Sequence, residues 1–235
     1  MTEHHIASVF DRDLDTIQAQ IMKMGGMVEA AIMEGATSLE TRDIERAEQV
    51  RAADKEIDAL EHAINEEAAR LIALRSPTAG DLRLVLSVMK ISGNLERIGD
   101  YAKNMAKRTG VLAQMEPVNG SASSLRRMAK EVEAMLKDAL DAYVNRDAEL
   151  AGDVIKRDSD VDQMYNGLFR EFLTFMMEDP RNITACMHLH FIGKNIERMG
   201  DHVTAIAEQV IYLVSGDTPD EARVKADTTS TTAPE

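Results

Sequence analysis

The sequence predicts an all-α protein made of two tandem three-helix bundles that are related by an internal repeat. Aromatic residues make up only 4% of the 235 residues, Trp is absent and Met reaches 15. Strands favour aromatic and β-branched residues, so this composition favours helices packed with Ala, Leu, Ile and Met. One string of residues occurs twice along the chain, which predicts an internal repeat. Apolar residues at heptad spacing around that string predict helices packed in bundles.

The repeat is clearest in one seven-residue string. Asn94–Asp100 reads NLERIGD, and it returns at an offset of 101 as NIERMGD in Asn195–Asp201. Earlier in the chain the offset is 104, since Arg42-Asp43 recurs as Arg146-Asp147. The change in offset implies that the second copy has lost three residues. The predicted domains are a first three-helix bundle at 1–115, a second at 121–215 and a tail at 216–235.

Capping residues and prolines divide each copy into three helices. Asp43 is expected to cap the second helix, and Pro77 ends it, because the residue before a proline disfavours helix. The tail is polar and lacks periodicity, so we predict that it is disordered. The predicted segments are helices over 9–39, 44–74 and 78–115, a linker at 116–121, and breaks in the second copy at 145–147 and 178–180.

Apolar residues on the third helix of each copy alternate spacings of four and three, as in a heptad seam. Such seams are expected where long helices cross at about 20° in a bundle. We assign a similar seam to the second helix of the first copy. The seam residues are Leu84, Val88, Ile91, Leu95, Ile98, Ala102 and Met105; Ala185, Leu189, Ile192, Ile196, Met199, Val203, Ile206, Val210 and Leu213; and, on the second helix, Val50, Ala53, Ile57, Leu60 and Ile64.

Acidic residues flank these seams, and their simplest interpretation is a solvated outer face. Against it, acids four residues apart repel each other by a few tenths of a kcal/mol, and these acids recur in both copies. The small Gly99 and Gly200 beside them would let a neighbouring helix or a ligand approach closely. The residues concerned are Asp54, Asp58, Glu96, Asp100 and Asn104 in the first copy, and Asp158, Asp162, Glu197 and Asp201 in the second.

Carboxylate and amide oxygens are ligands for hard cations. We therefore predict one metal site per copy, for Mg, Mn, Ca, Fe or Zn ions, where second-helix acids meet third-helix acids on an exposed face. The rival interpretation is that Arg97 and Arg198 neutralise the acids locally.

Several functional classes are disfavoured. A net charge of −14 argues against nucleic acid and against docking on an anionic membrane. The single Cys186 excludes an internal disulfide and suits a reducing compartment. No secretory signal or apolar span is evident, so we expect a cytoplasmic protein without membrane insertion. The Glu-x-x-His pairs, the H-E-x-x-H motif, the P-loop and other catalytic motifs are absent, so we do not expect an enzyme.

The motifs resemble those of the PhoU family of phosphate transport regulators, over roughly residues 5–215. They are V-x-x-x-D-x-x-[IV]-D at Val50–Asp58 and Val154–Asp162, followed by the repeated N-[LI]-E-R-[IM]-G-D string. The resemblance implies a cytoplasmic, non-enzymatic negative regulator of phosphate uptake and phosphate-starvation signalling, which reaches the inner membrane only through its partners.

The same resemblance implies an adaptor between the ATP-binding subunit of the phosphate ABC transporter and a phosphate-sensing histidine kinase. It also implies a homodimer, with metal at Glu96 and Asp100 and at Glu197 and Asp201; the second copy has Ala205 where the first has Asn104. The alternative is a metal-binding helical scaffold or a chaperone-like protein without a role in phosphate signalling.

Overall fold

The computed structural model describes residues 2–75 and 77–217, together with 227 and 229. Within these residues the chain forms six α-helices and one 3₁₀ turn, and it contains no strand, which confirms the predicted fold class. The helices are α1 (Thr2–Thr41), α2 (Ile44–Arg75), α3 (Ala79–Leu112), α4 (Ser121–Asn145), α5 (Ala148–Glu178) and α6 (Ile183–Ser215), with the 3₁₀ turn at Pro180–Asn182.

The cap predicted at Asp43 is confirmed, and Asp147 caps the matching helix of the second repeat. The Arg46 N–H donates to Asp43 Oδ1 over 3.0 Å at the start of α2. At the start of α5, the N–H groups of Glu149 and Leu150 both donate to Asp147 Oδ1 over 3.0 Å. These bonds satisfy N–H groups that have no partner inside the helix.

The residue before each cap has a left-handed backbone, with φ of 58° at Arg42 and 53° at Arg146. The Arg42 guanidinium reaches the other end of the repeat, where it donates to the carbonyls of Leu112 and Ala113 over 3.0 and 2.9 Å. One side chain therefore ties the α1–α2 turn to the end of α3.

The heptad seams of α3 and α6 form the centre of the core. Every predicted seam residue on these two helices is buried except Leu84, which is half-buried against the core. Cys186 is buried beside them.

The seam predicted for α2 is wrong at one position. Ala53 is exposed, whereas Asp54 is buried between Val50 and Ile57. The heptad steps of four and three residues run from Val50 through Asp54 to Ile57, so a carboxylate occupies a core position. The prediction placed the apolar residue inward because apolar side chains are usually buried.

The two repeats share one core. Helix α1 packs on α4 and α3 packs on α6, in addition to the contacts within each bundle. The two helices α3 and α6 run antiparallel, because Asn94 contacts His202 near the middle of both helices, whereas Arg108 near the end of α3 contacts His188 near the start of α6.

In the described part of the chain, no helix combines the length and the apolar character needed to cross a membrane. The tail predicted to be disordered, 216–235, falls largely outside the described residues. Four residues of that segment are described, Gly216, Asp217, Asp227 and Thr229, and Asp227 contacts α5 and α6.

Candidate functional site: two acidic clusters

A close contact between α2 and α3 assembles the first acidic cluster, which we define as Asp54, Asp58, Glu96, Asp100 and Lys103. A Cβ atom built on Gly99 would lie 3.2 and 3.3 Å from the Cδ1 and Cγ2 atoms of Ile57. The glycine therefore lets the two helices approach, as predicted. Because of this approach, Asp54 is only 3% exposed.

Lys103 supplies the positive charge of this cluster. Its Nζ atom lies 2.5 Å from Asp54 Oδ2 and 3.1 Å from Asp100 Oδ1. The hydrogen bonds with Asp54 and Asp100 raise the pKa of Lys103 well above its usual range. The other oxygen of Asp54, Oδ1, is buried and accepts no hydrogen bond from any described residue.

The remaining acids of the cluster repel one another. Burial, the charge of Asp100 and that of Asp58 raise the pKa of Glu96, and Arg97 opposes the shift. Burial and the charge of Asp54 raise the pKa of Asp58. Arg97 lies 3.6 Å from Glu96 but is 61% exposed, so solvent screens this pair and it compensates the cluster less than Lys103 does.

The second acidic cluster comprises Asp158, Asp162, Glu197, Asp201 and Lys194. Lys194 Nζ lies 2.9 Å from Glu197 Oε1, and Glu197 is 3% exposed. Burial raises the pKa of Glu197, although its hydrogen bond with Lys194 works in the opposite direction. As at Asp54, one buried oxygen of the acid, Glu197 Oε2, finds no hydrogen-bond donor among the described residues.

The C-terminal segment also contacts the second cluster. Lys194 Nζ lies 2.8 Å from Asp227 Oδ2, and the Asp227 N–H donates to Asp162 Oδ2 over 3.1 Å. Both clusters thus pair a buried acid with a lysine. Lys103 joins acids of α2 and α3, whereas Lys194 is described in ion pairs with Glu197 of its own helix and with Asp227 of the tail.

The prediction that the acids face outward is wrong for Asp54, Asp158, Asp162 and Glu197, all of which are buried. A heptad seam describes the contact between two helices. Here α3 packs on α1, α2 and α6, and α6 packs on α3, α4 and α5. Positions that flank one seam are therefore covered by another helix.

The clusters provide oxygen donors that suit a hard cation. Asp54, Asp58, Glu96 and Asp100 would hold such an ion in the first repeat, and the buried oxygen without a donor on Asp54 fits this role. In the described structure, however, no group of three or more His, Cys, Asp or Glu side chains is arranged to hold a metal. A lysine ammonium instead forms an ion pair with one buried acid in each cluster, Asp54 in the first and Glu197 in the second.

Asn104 lies apart from this set. It lines a cleft with Lys107 and Arg108, and among the described residues it forms no hydrogen bond with the acids.

The two lysines were missed by the sequence reasoning. Lys103 follows Asp100 by three residues, whereas Lys194 precedes Glu197 by three residues, so they do not align in the repeat. The signal that could have found them is a lysine one helical turn from a motif acid in each copy, since side chains three residues apart are neighbours on a helix.

Comparison with known proteins identifies relatives over nearly the whole chain. The model of the "PhoU domain" family matches residues 21–109 and 125–210. The phosphate-specific transport system accessory protein PhoU homolog of Caulobacter vibrioides is 44% identical over 230 residues, which cover 98% of this chain and 100% of that protein. The homolog of the same name from Rhizobium meliloti is 42% identical over 231 residues, 98% of each chain.

Two crystal structures share the fold. The structure of PhoU from Pseudomonas aeruginosa has a TM-score of 0.86 and 38% identity, and it covers 88% of this chain and 100% of that chain. The phosphate transport system regulatory protein PhoU from Streptococcus pneumoniae has a TM-score of 0.83 and 29% identity, with 90% of this chain and 100% of that chain covered.

Proposed function

This chain belongs to the PhoU family, and from that membership we propose that it is an accessory protein that regulates phosphate transport. The observation that carries the proposal is the family match on both repeats, 21–109 and 125–210, together with 44% identity to a phosphate-specific transport system accessory protein over 98% of this chain. The names of the relatives describe an accessory or regulatory role and no reaction.

We propose further that the chain acts as a negative regulator by linking the ATP-binding subunit of the phosphate importer to the sensor histidine kinase in the cytoplasm. The two repeats share one core, with α1 packed on α4 and α3 on α6, and such a single body supports a role as an adaptor. The partly exposed acids Asp58, Glu96 and Asp100 of the first acidic cluster offer a negative surface. Such a surface suits a basic patch on a partner, because opposite charges steer association.

Pull-down experiments with purified ATP-binding subunit and purified kinase test the adaptor. We expect the full-length chain to capture both, and the double variant Glu96→Ala/Asp100→Ala to lose about tenfold in affinity for at least one, as for other charged contact residues. Glu56→Ala is the matched control, because Glu56 is an exposed acid on α2 with no ion pair to any other described residue.

The outcomes separate the proposals. If the unaltered chain captures neither protein, the adaptor role is wrong, and the scaffold or chaperone-like alternative gains support. If the double variant binds both partners as well as the control does, the partners use another face. Size-exclusion chromatography of the same samples measures self-association, since the homodimer stays a prediction.

A further inference from the structure

A cleft of about 410 Å³ lies between α3 and α6, where the two repeats meet. Its lining contains no acid, although the chain carries 41 acidic and 27 basic residues. The lining residues are Asn104, Lys107, Arg108, Val111, His188 and Asn195.

Two contacts within the protein hold Arg108 in this cleft. Its guanidinium carbon lies 4.5 Å from the centroid of the Phe191 ring, and its Nη1 atom lies 3.1 Å from His188 Nδ1. Burial lowers the pKa of Arg108, and burial together with the charge of Arg108 lowers the pKa of His188. A neutral His188 that accepts from Arg108 at Nδ1 carries its own proton on Nε2.

The donors of the cleft have no carboxylate partner. Among the side chains described over residues 12–74 and 77–217, no carboxylate lies within ion-pair distance of Lys107 or Arg108, and neither Asn104 nor Asn195 makes a side-chain hydrogen bond. Two cations and two amides thus line one cleft that holds no carboxylate, and an anion could accept hydrogen bonds from all four.

The internal repeat shows that packing does not require these cations. At the offset of 101 that relates α3 to α6, Lys107 corresponds to Glu208, Arg108 to Gln209 and Asn104 to Ala205. The same helix contact is thus made at its other end without a cation at either position. At that other end the cations come from α3 instead, where Arg83 and Lys90 lie over the ring of Tyr212.

We propose that the cleft between α3 and α6 binds a phosphate group, either as inorganic phosphate or as the phosphate of a nucleotide. The planar fork of Arg108 suits a tetrahedral oxyanion, and Lys107 adds a point charge. The amides of Asn104 and Asn195 add neutral donors on the α3 and α6 sides of the cleft. The proposal depends on the charge and donors of the cleft, and it stands independently of the proposed adaptor role.

Isothermal titration calorimetry at low ionic strength, with inorganic phosphate and AMP as separate ligands, tests this proposal on the full chain. We expect saturable binding of the ligand by the unaltered chain. Each of the variants Lys107→Ala and Arg108→Gln should weaken the affinity about tenfold, because a hydrogen bond to a charged group contributes a free energy of that size. Lys130→Ala is the control, since Lys130 is an exposed lysine of α4 with no ion pair to a described residue, and it should bind normally.

Comparing the two ligands identifies the source of the phosphate. Tighter binding of inorganic phosphate indicates a site for the free ion, whereas tighter binding of AMP indicates a nucleotide site. Thermal melts establish that each variant is folded. Because Lys107 forms no ion pair or hydrogen bond with another described side chain, its variant removes a charge without breaking either kind of bond. Absence of binding up to millimolar ligand, or equal binding by Lys107→Ala and Lys130→Ala, would overturn the proposal.

Discussion

At the scale of single residues, Asp54 shows how a buried acid can be missed. It occupies a heptad position between Val50 and Ile57, where sequence reasoning places an apolar side chain and therefore selects Ala53. Its burial is tolerated because Lys103 lies 2.5 Å away. The pairing depends on the angle between two helices, which no local pattern specifies.

We propose that a divalent cation competes with Lys103 for the first acidic cluster. The support is the set of carboxylates from α2 and α3, together with the buried Asp54 oxygen that has no hydrogen-bond donor among the described residues. A metal ion would bind these oxygens only if the ammonium moved away. The same reasoning applies to Lys194 and Glu197 in the second cluster.

The variant Lys103→Ala tests this competition. Without metal, we expect it to lose about 2 kcal/mol of unfolding free energy, less than a fully buried pair would, because Lys103 is partly exposed. Thermal melts with Mg²⁺, Mn²⁺, Fe²⁺ or Zn²⁺ should then raise the melting temperature of this variant more than that of the unaltered chain.

The control for the metal experiment is the double variant Asp54→Asn/Lys103→Ala, which removes a ligand as well as the competing ammonium and should not respond. If all four ions leave the melting temperatures of the unaltered chain and of Lys103→Ala unchanged, the metal proposal for the first cluster is wrong.

At the scale of elements, glycine positions decide how closely the helices approach. Gly99 lies against Ile57 in the first repeat, and Gly200 lies against Asp158 in the second, where an added Cβ would be 3.3 Å from Asp158 Oδ1. The repeated sequence correctly indicated both contacts. The sequence could not indicate which side-chain atoms each glycine would contact, because those contacts depend on the rotation of each helix about its axis.

The substitution Gly99→Ala is expected to reduce the unfolding free energy by about 1–2 kcal/mol, because its methyl group would crowd Ile57 in a packed core. Gly93→Ala on the same helix meets nothing within 4 Å, and it should stabilise by up to about 1 kcal/mol through helix propensity. Urea unfolding followed by circular dichroism measures both. Equal effects of the two substitutions would contradict the close contact between α2 and α3.

At the scale of the whole molecule, the two repeats are halves of one core. The sequence correctly indicated six helices and the breaks between them, since caps, prolines and heptads are local signals. It could not indicate that α1 packs on α4 and α3 on α6, because those contacts join residues far apart in the chain. The acid-free cleft beside Arg108 was missed for the same reason.

A chain ending at residue 115, the predicted boundary of the first domain, tests this shared core. We expect the fragment to self-associate or to unfold without a sharp transition, because the faces of α1 and α3 that pack on the second repeat would be exposed to water. Light scattering and urea unfolding compare it with the full chain. A monomeric fragment with a cooperative transition would show that the first repeat is an independent domain.

The bond between Asn94 and His202 joins the repeats, with 2.8 Å between Asn94 Oδ1 and His202 Nδ1. By the offset of 101, its counterpart would join Asn195 to Tyr101, and the described structure contains no such bond. Because both copies lie on one polypeptide, a mutation can change one copy and leave the other intact. The repeat therefore holds one asparagine, Asn94, in a bond between the helices, while its counterpart Asn195 lines the cleft beside Arg108.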